Sequence, residues 1–250
     1  MGATTGIQWS GRTWNPWQGC TKVSPGCQNC YMYRDKKRYG QDPATVVRSK
    51  APTFNAPLSK KWATPARVFT CSWSDFFHQD ADEWRYEAWD IIRKTPHLTY
   101  QILTKRPERI ADNLPVTPGQ RTTQFYDQTW PWSHVWLGTS VENQQFADER
   151  IPHLLKVPAT IRFLSVEPML RPIDISRYLA VEPERWWVIG GGESGPNYRL
   201  CDIDWARSLR DQCVAAGVPF FWKQWSGENP KAIGRELDGR EWSQTPGGGA

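Results

Sequence analysis

Residues 134–167 read HVWLGTSVENQQFADERIPHLLKVPATIRFLSVE, and this stretch decides the fold. His134–Leu137 and Thr160–Leu164 are short, continuous apolar runs, and Asn143–Lys156 between them carries a helical pattern. A continuous run suits a strand buried on both faces, and strand, helix, strand is the unit of a parallel sheet. The same kind of run recurs at Arg67–Cys71 (RVFTC), Thr99–Leu103 (TYQIL), Trp186–Ile189 (WWVI) and Pro219–Trp222 (PFFW). Helical patterns fall between the runs at Asp82–Lys94 and Trp205–Ala216, the latter with Asp204 as its expected N-cap and Gly217 as its stop. A further helix is expected at Tyr31–Tyr39, ending at Gly40. The fold class predicted is α/β with parallel strands, either a partial or full TIM-like barrel or a doubly wound sheet. Residues 1–225 are expected to form one domain, with 226–250 as a C-terminal extension or tail.

In such folds function gathers at the C-terminal ends of the strands. Past the first predicted strand lie Ser72, Ser74 and Asp75, and past the second lies Lys105. Ser140, Glu142 and Asn143 follow the third, and Glu167 follows the fourth. Gly191, Gly192 and Glu193 follow the fifth, and Lys223 the sixth. Six strand ends in succession, each carrying a charged or amide side chain, predict one polar pocket.

Composition narrows the class. With 39% hydrophobic and 23% charged residues the chain is an ordinary globular one, and it has no apolar run of the about 18–20 residues that a membrane span needs. The N-terminus lacks a secretory apolar stretch, and Gly6 stands where a myristoylation signal wants Ser or Thr, so a cytoplasmic protein is expected. A net charge of +5 permits a polyanionic partner without requiring one. The sixteen tryptophans suggest a large aromatic core, or stacking platforms for bases or a flat cofactor.

Three of the six cysteines crowd into one loop of about residues 19–31, where Cys20, Cys27 and Cys30 read C-x6-C-x2-C around a Ser24-Pro25-Gly26 turn. Clustered cysteines in a reducing compartment are metal ligands or catalytic groups more often than disulfides. Soft thiolates suit zinc or an iron–sulfur cluster. Structural zinc wants a fourth ligand, and the four histidines are scattered while Cys71, Cys201 and Cys213 fall in or beside predicted core elements. Three ligands without a fourth match a [4Fe–4S] cluster with one open iron.

The cysteine segment resembles that of a phage- and bacteria-associated three-Cys-motif family, which is itself similar to divergent radical S-adenosylmethionine (SAM) enzymes. Similar segments run through the chain to about Trp242: Trp14–Cys20 (WNPWQGC), Ser72–Phe77 (SWSDFF), Leu103–Arg109 (LTKRPER), Trp136–Asn143 (WLGTSVEN), Phe163–Pro168 (FLSVEP), Gly191–Pro196 (GGESGP) and Phe221–Trp225 (FWKQW). The first cysteine gap is six residues where radical SAM enzymes commonly have three, Asn29 stands in place of an aromatic residue, and the Gly-Gly-Glu falls late in the chain. The resemblance implies a radical-SAM-like barrel in which Cys20, Cys27 and Cys30 ligate three irons and SAM chelates the fourth. SAM would be contacted by Ser72, Ser74, Asp75, Ser140, Glu142, Asn143, Gly191, Gly192 and Glu193. Lys105 and Lys223 would hold an anionic group or donate protons, and Glu167 would serve as acid or base. An electron donor is implied as a partner. A nucleotide or nucleic-acid substrate is expected, contacted by the basic stretches Arg34–Arg38 and Lys105–Arg109. The rival expectation is a non-catalytic nucleic-acid-binding protein with structural zinc or a structural cluster.

Overall fold

The computed structural model describes residues 5–115 and 130–247. Seven strands form one sheet: β1 (Arg12–Trp14), β2 (Ala66–Thr70), β3 (Leu98–Thr104), β4 (Val135–Ser140), β5 (Ile161–Val166), β6 (Trp186–Gly190) and β7 (Phe220–Trp222). Every neighbouring pair is parallel, and the spatial order is the chain order. A doubly wound sheet would reverse its order at a switch point. This one never reverses, so it curls as a half-barrel. The six strands expected from sequence are all present. β1 adds a seventh, which sequence missed because Arg-Thr-Trp is too short and too polar to read as a buried run.

The helices that close the crossovers are α1 (Tyr31–Arg38), α2 (Asp82–Lys94), α3 (Gln144–Leu155) and α4 (Ile203–Ala216). Asn143 caps α3, its side chain accepting from the Phe146 N–H at 3.1 Å. The cap of α4 is Asp202 rather than the expected Asp204, because α4 starts two residues earlier and Asp202 accepts from the Asp204 N–H. Gly217 ends α4 in the left-handed region, as expected of a C-terminal stop. No helix among the described residues is long and apolar enough to cross a membrane.

Strand alternation divides the buried side chains into two cores. On the convex face Leu98, Tyr100 and Ile102 of β3 join Ala88, Trp89 and Ile92 of α2 in the principal core. On the concave face Phe69, Phe163, Trp187 and Phe221 close around Trp9, whose ring centroid lies 4.7 Å from that of Phe69 and 5.9 Å from that of Trp187. Phe163 packs so closely over β4 that a Cβ at Gly138 would stand 2.6 Å from its ring. Ten of the sixteen tryptophans are buried, so most of the tryptophan content is core.

The segment after Trp225 packs on the sheet. Ser243 forms an antiparallel bridge with Phe221, Trp222 donates its N–H to the Trp242 carbonyl, and Trp242 is buried. The edge of β7 is thereby covered, as an exposed strand edge requires.

Candidate functional site

The cysteine loop folds over the C-terminal ends of the strands. Its shape depends on two glycines. Gly19 has φ +97°, and a Cβ there would come within 2.1 Å of the Thr45 carbonyl oxygen. Gly26 lies against Glu142, and a Cβ there would meet Oε1 at 2.4 Å. Between them the expected Ser-Pro-Gly turn forms, with the Cys27 N–H donating to the Ser24 carbonyl at 2.9 Å. Cys30 directly precedes α1, and the Tyr33 hydroxyl ties the helix back to the Cys20 carbonyl at 2.6 Å.

Under the loop lies a cavity of about 300 Å³. Cys20, Cys27 and Cys30 all line it, and all three are free thiols. Burial pushes the Cys20 thiol up to about 12, Asp75 adds to that, and Arg106 opposes it. Among the described residues no three His, Cys, Asp or Glu side chains are gathered as ligands of one metal ion. Thiolates on one zinc, with Zn–S of about 2.3 Å, would lie within roughly 3.8 Å of each other. A cluster instead gives each cysteine its own iron and spreads the sulfurs wider, and the donors it would use, three free thiols of one loop lining one cavity, are present.

The other sequence-predicted residues divide by where their polar atoms point. Lys105, Ser140, Glu167 and Lys223 line the cavity. Lys223 Nζ donates to Glu167 Oε1 at 2.5 Å, and both side chains retain partial exposure. Lys105 Nζ stands 3.5 Å from Glu142 Oε1. Lys105, Glu167 and Lys223 thus bring paired charges to the cavity wall.

Ser72, Ser74 and Asp75 also line the cavity, but their side chains are engaged in shaping it. Ser72 pairs with Asn15, and Ser74 donates to the Gly19 carbonyl at 2.5 Å. Asp75 accepts from Thr104 Oγ1 at 2.6 Å, from the N–H groups of Phe77 and Lys105 at 2.9 Å, and from Arg106 Nη1 at 3.1 Å. Glu193 lines the cavity with its carboxylate bound by Asn29 and Arg199. Gly192 lines it too, where a Cβ would stand 2.3 Å from the Ser226 nitrogen.

Three predicted residues do not reach the cavity wall. Glu142 is fully buried, with Ser24 Oγ at 2.6 Å on one oxygen and Arg150 Nη1 at 3.0 Å on the other. Asn143 spends its side chain as the α3 cap. Gly191 is held in the backbone, donating to the Val166 carbonyl and accepting from the Met169 N–H. Their expected contact with a cofactor gives way to fixing the loop, the helix and the strand end.

The holding is done by Arg106, expected from sequence in the phosphate-contacting stretch Lys105–Arg109, and by residues given no role there. Arg106 is buried and reaches back over the cysteine loop, with Nη1 3.6 Å from Cys20 Sγ and Nη2 donating to Thr21 Oγ1 at 2.7 Å. Arg199 donates to Glu193 and to the Pro25 carbonyl, so the 193–199 segment clasps the loop from the opposite side. Cys71, expected in the core, is buried at the end of β2 with φ +63° and lines the same cavity. Its left-handed backbone had no signal in the sequence, because only glycine or asparagine advertises that conformation.

The Glu193 site makes a pH prediction. Burial acts to raise the Glu193 carboxyl, but the bonds from Arg199 and Asn29 outweigh it and hold it below its ordinary 4.5. A carboxyl depressed in the folded state stabilises the protein above the unfolded value, and that contribution is lost as pH falls through the folded value. Glu193→Gln is therefore expected to lose about 1–2 kcal/mol at pH 7 and to have a flatter acid limb below about pH 4.5 in urea titrations. Equal stability of the two proteins at pH 7 would remove Glu193 as a clasp.

The chain matches the model of a family described as a protein of unknown function, DUF5131, over residues 4–246. Among curated proteins nothing matches it. A match across nearly the whole length, embracing the cysteine loop, all seven strands and the covering C-terminal segment, makes this chain a member of the DUF5131 family.

Proposed function

We propose that this protein is an iron–sulfur enzyme of the radical SAM kind, with a [4Fe–4S] cluster on Cys20, Cys27 and Cys30 and SAM bound beside it, as the likeness to the three-Cys-motif family implies. One observation carries the reading: three free thiols from one loop face the same cavity as the charged ends of the parallel strands. The bound groups would supply one-electron reduction and radical abstraction of a substrate hydrogen.

The chain's own residues then position and protect. Arg106 directs an N–H at Cys20 Sγ, the kind of contact that tunes a ligating sulfur. Lys105 presents a cation at the cavity wall suited to a carboxylate or phosphate. Lys223 can deliver a proton to a substrate atom while Glu167 beside it balances the charge. Trp9, Phe69 and Leu103 form an apolar part of the wall and limit water. A non-catalytic zinc protein would have no use for the Glu167–Lys223 pair in that wall. An oxygen-sensitive cluster places the protein in a reducing cytoplasm and calls for an external one-electron donor.

The test is electron paramagnetic resonance on anaerobically reconstituted, dithionite-reduced protein, with iron and sulfide analysis. A [4Fe–4S]⁺ signal that changes on adding SAM is expected. Bound zinc with no reconstitutable cluster would reject the proposal and favour the binding-protein reading, and a cluster indifferent to SAM would remove the cofactor.

A further inference from the structure

Tyr31 and Met32 of α1, the cysteine loop, and Glu193 and Ser194 line one side of the cavity, and the outer surface beside them is taken as its mouth. Lys36 is buried, Arg106 is turned inward, and Arg109 is paired with Asp82, so neither Arg34–Arg38 nor Lys105–Arg109 works as a continuous run. What faces outward is the exposed part of the first stretch, without Lys36, together with tyrosines. Tyr31, Arg34 and Arg38 fall on one stripe of α1 at spacings of three and four residues. Tyr31 lines the cavity and is anchored by its hydroxyl on the Ser72 carbonyl, yet the residue stays 39% exposed. Tyr39, just beyond the helix, is 69% exposed.

The adjoining segment continues this surface. Arg34 packs over Gly195, next to the cavity-lining Ser194, where a Cβ would meet Nη1 at 2.4 Å. Tyr198 is also 39% exposed, on a segment fixed by the bond from Asn29 to the Asn197 carbonyl at 2.8 Å. Lys22 extends the cations along the cysteine loop, its Nζ 4.8 Å above the Tyr33 ring. The acids along this stretch are Asp35, half-buried and 3.8 Å from Arg34, and the exposed Asp42. Among the described residues no carboxylate lies within 4.0 Å of Lys22, Lys37 or Arg38.

We infer that this mouth is a docking surface for single-stranded nucleic acid, with cations for the phosphates and tyrosine faces for the bases. Taking the cavity as the reaction site of the proposed enzyme, the surface names its substrate class. Base stacking on fixed aromatic rings needs unpaired bases, which a duplex does not offer. A narrow cavity behind the tyrosines would admit one unit of the strand at a time, as enzymes that act on bases require. The set Lys22, Arg34, Lys37 and Arg38 matches a backbone rather than a lone nucleotide, because the cations are spread along a helix and a loop.

The experiment is fluorescence anisotropy with a labelled single-stranded 12-mer, as DNA and as RNA, on the cluster-loaded protein without SAM. Each phosphate contact on a single strand releases about 0.7 of a counterion, so the combined Arg34→Ala, Lys37→Ala and Arg38→Ala variant is expected to lower the salt slope by about 2. It should also weaken binding at least tenfold at low salt. Tyr198→Ala should weaken binding by about tenfold with the slope unchanged, since a stacked base contributes about 1–3 kcal/mol. Lys60→Ala with Lys61→Ala, near Arg12 at the opposite end of the sheet, should change neither. All these side chains are exposed, and Arg38→Glu alone provides a second, minimal variant with the same expected direction.

Absence of single-strand binding, an unchanged slope in the triple variant, or a duplex or a mononucleotide bound as tightly as the 12-mer would each overturn the inference. The measurement stands apart from radical chemistry. Strand binding by a protein whose cluster ignores SAM would keep the surface and discard the enzyme, and the reverse result would do the opposite.

Discussion

Alanine in place of any one of Cys20, Cys27 or Cys30 is expected to drop iron from about four per reconstituted chain to below about half. Each cysteine would hold its own iron, and a cluster with one of three protein ligands removed loses its anchorage rather than a fraction of its affinity. The visible absorbance and the reduced-state paramagnetic signal should vanish with the iron. Cys213→Ala is the control, because that thiol is buried in the principal core on α4 and does not line the cysteine-loop cavity. The folded sheet should persist in all variants, since the cysteines are only part-buried on a loop. Circular dichroism and iron analysis on the same samples check both halves. Retention of full iron by all three single variants would sink the ligand assignment.

The second large effect is expected at Asp75. The carboxylate is buried and accepts four bonds, one of them from the buried Arg106 guanidinium. Asp75→Ala leaves that cation unpaired beneath the loop, together with two backbone N–H groups. Breaking a buried pair from one side costs about 3–5 kcal/mol, which for a chain of this size lowers Tm by about 10 °C. Arg106 also holds Thr21 and approaches Cys20, so the loop should loosen with it. Faster reaction of Cys20 with a thiol reagent in the cluster-free protein is the readout that a purely global destabilisation would not give at temperatures well below Tm. Asp75→Asn, which keeps the acceptor but not the charge, should fall between the two. A native Tm and native thiol reactivity in Asp75→Ala would show that the loop is held elsewhere.

Asp75 also illustrates how far the sequence could be read. Its place just past a strand end was legible, and it does line the cavity. Its role was not, because nothing in Ser-Trp-Ser-Asp says that Arg106 lies against it. Glu142 and Glu193 repeat the lesson. Both follow strand ends as predicted, yet Glu142 binds Ser24 across 118 residues of chain and Glu193 binds Asn29 across 164. Carboxylates expected to meet a cofactor instead clamp the loop that carries the cysteines. Glu167 and Lys223 instead pair with each other and stay part-exposed in the cavity wall.

The sequence by itself determined the alternation of strands and helices, the sheet's parallel sense and the loop that gathers three thiols. Those properties are local: periodicity, run length, capping and turn residues act within about fifteen positions and leave a visible trace. Only the tertiary structure decided that the sheet winds one way as a half-barrel, that Trp9 fills its concave face, and which polar side chains turn toward the cavity. These depend on which distant segments come to lie within about 3 Å of each other, and hydrogen-bond partnership at that range has no period for a sequence to display.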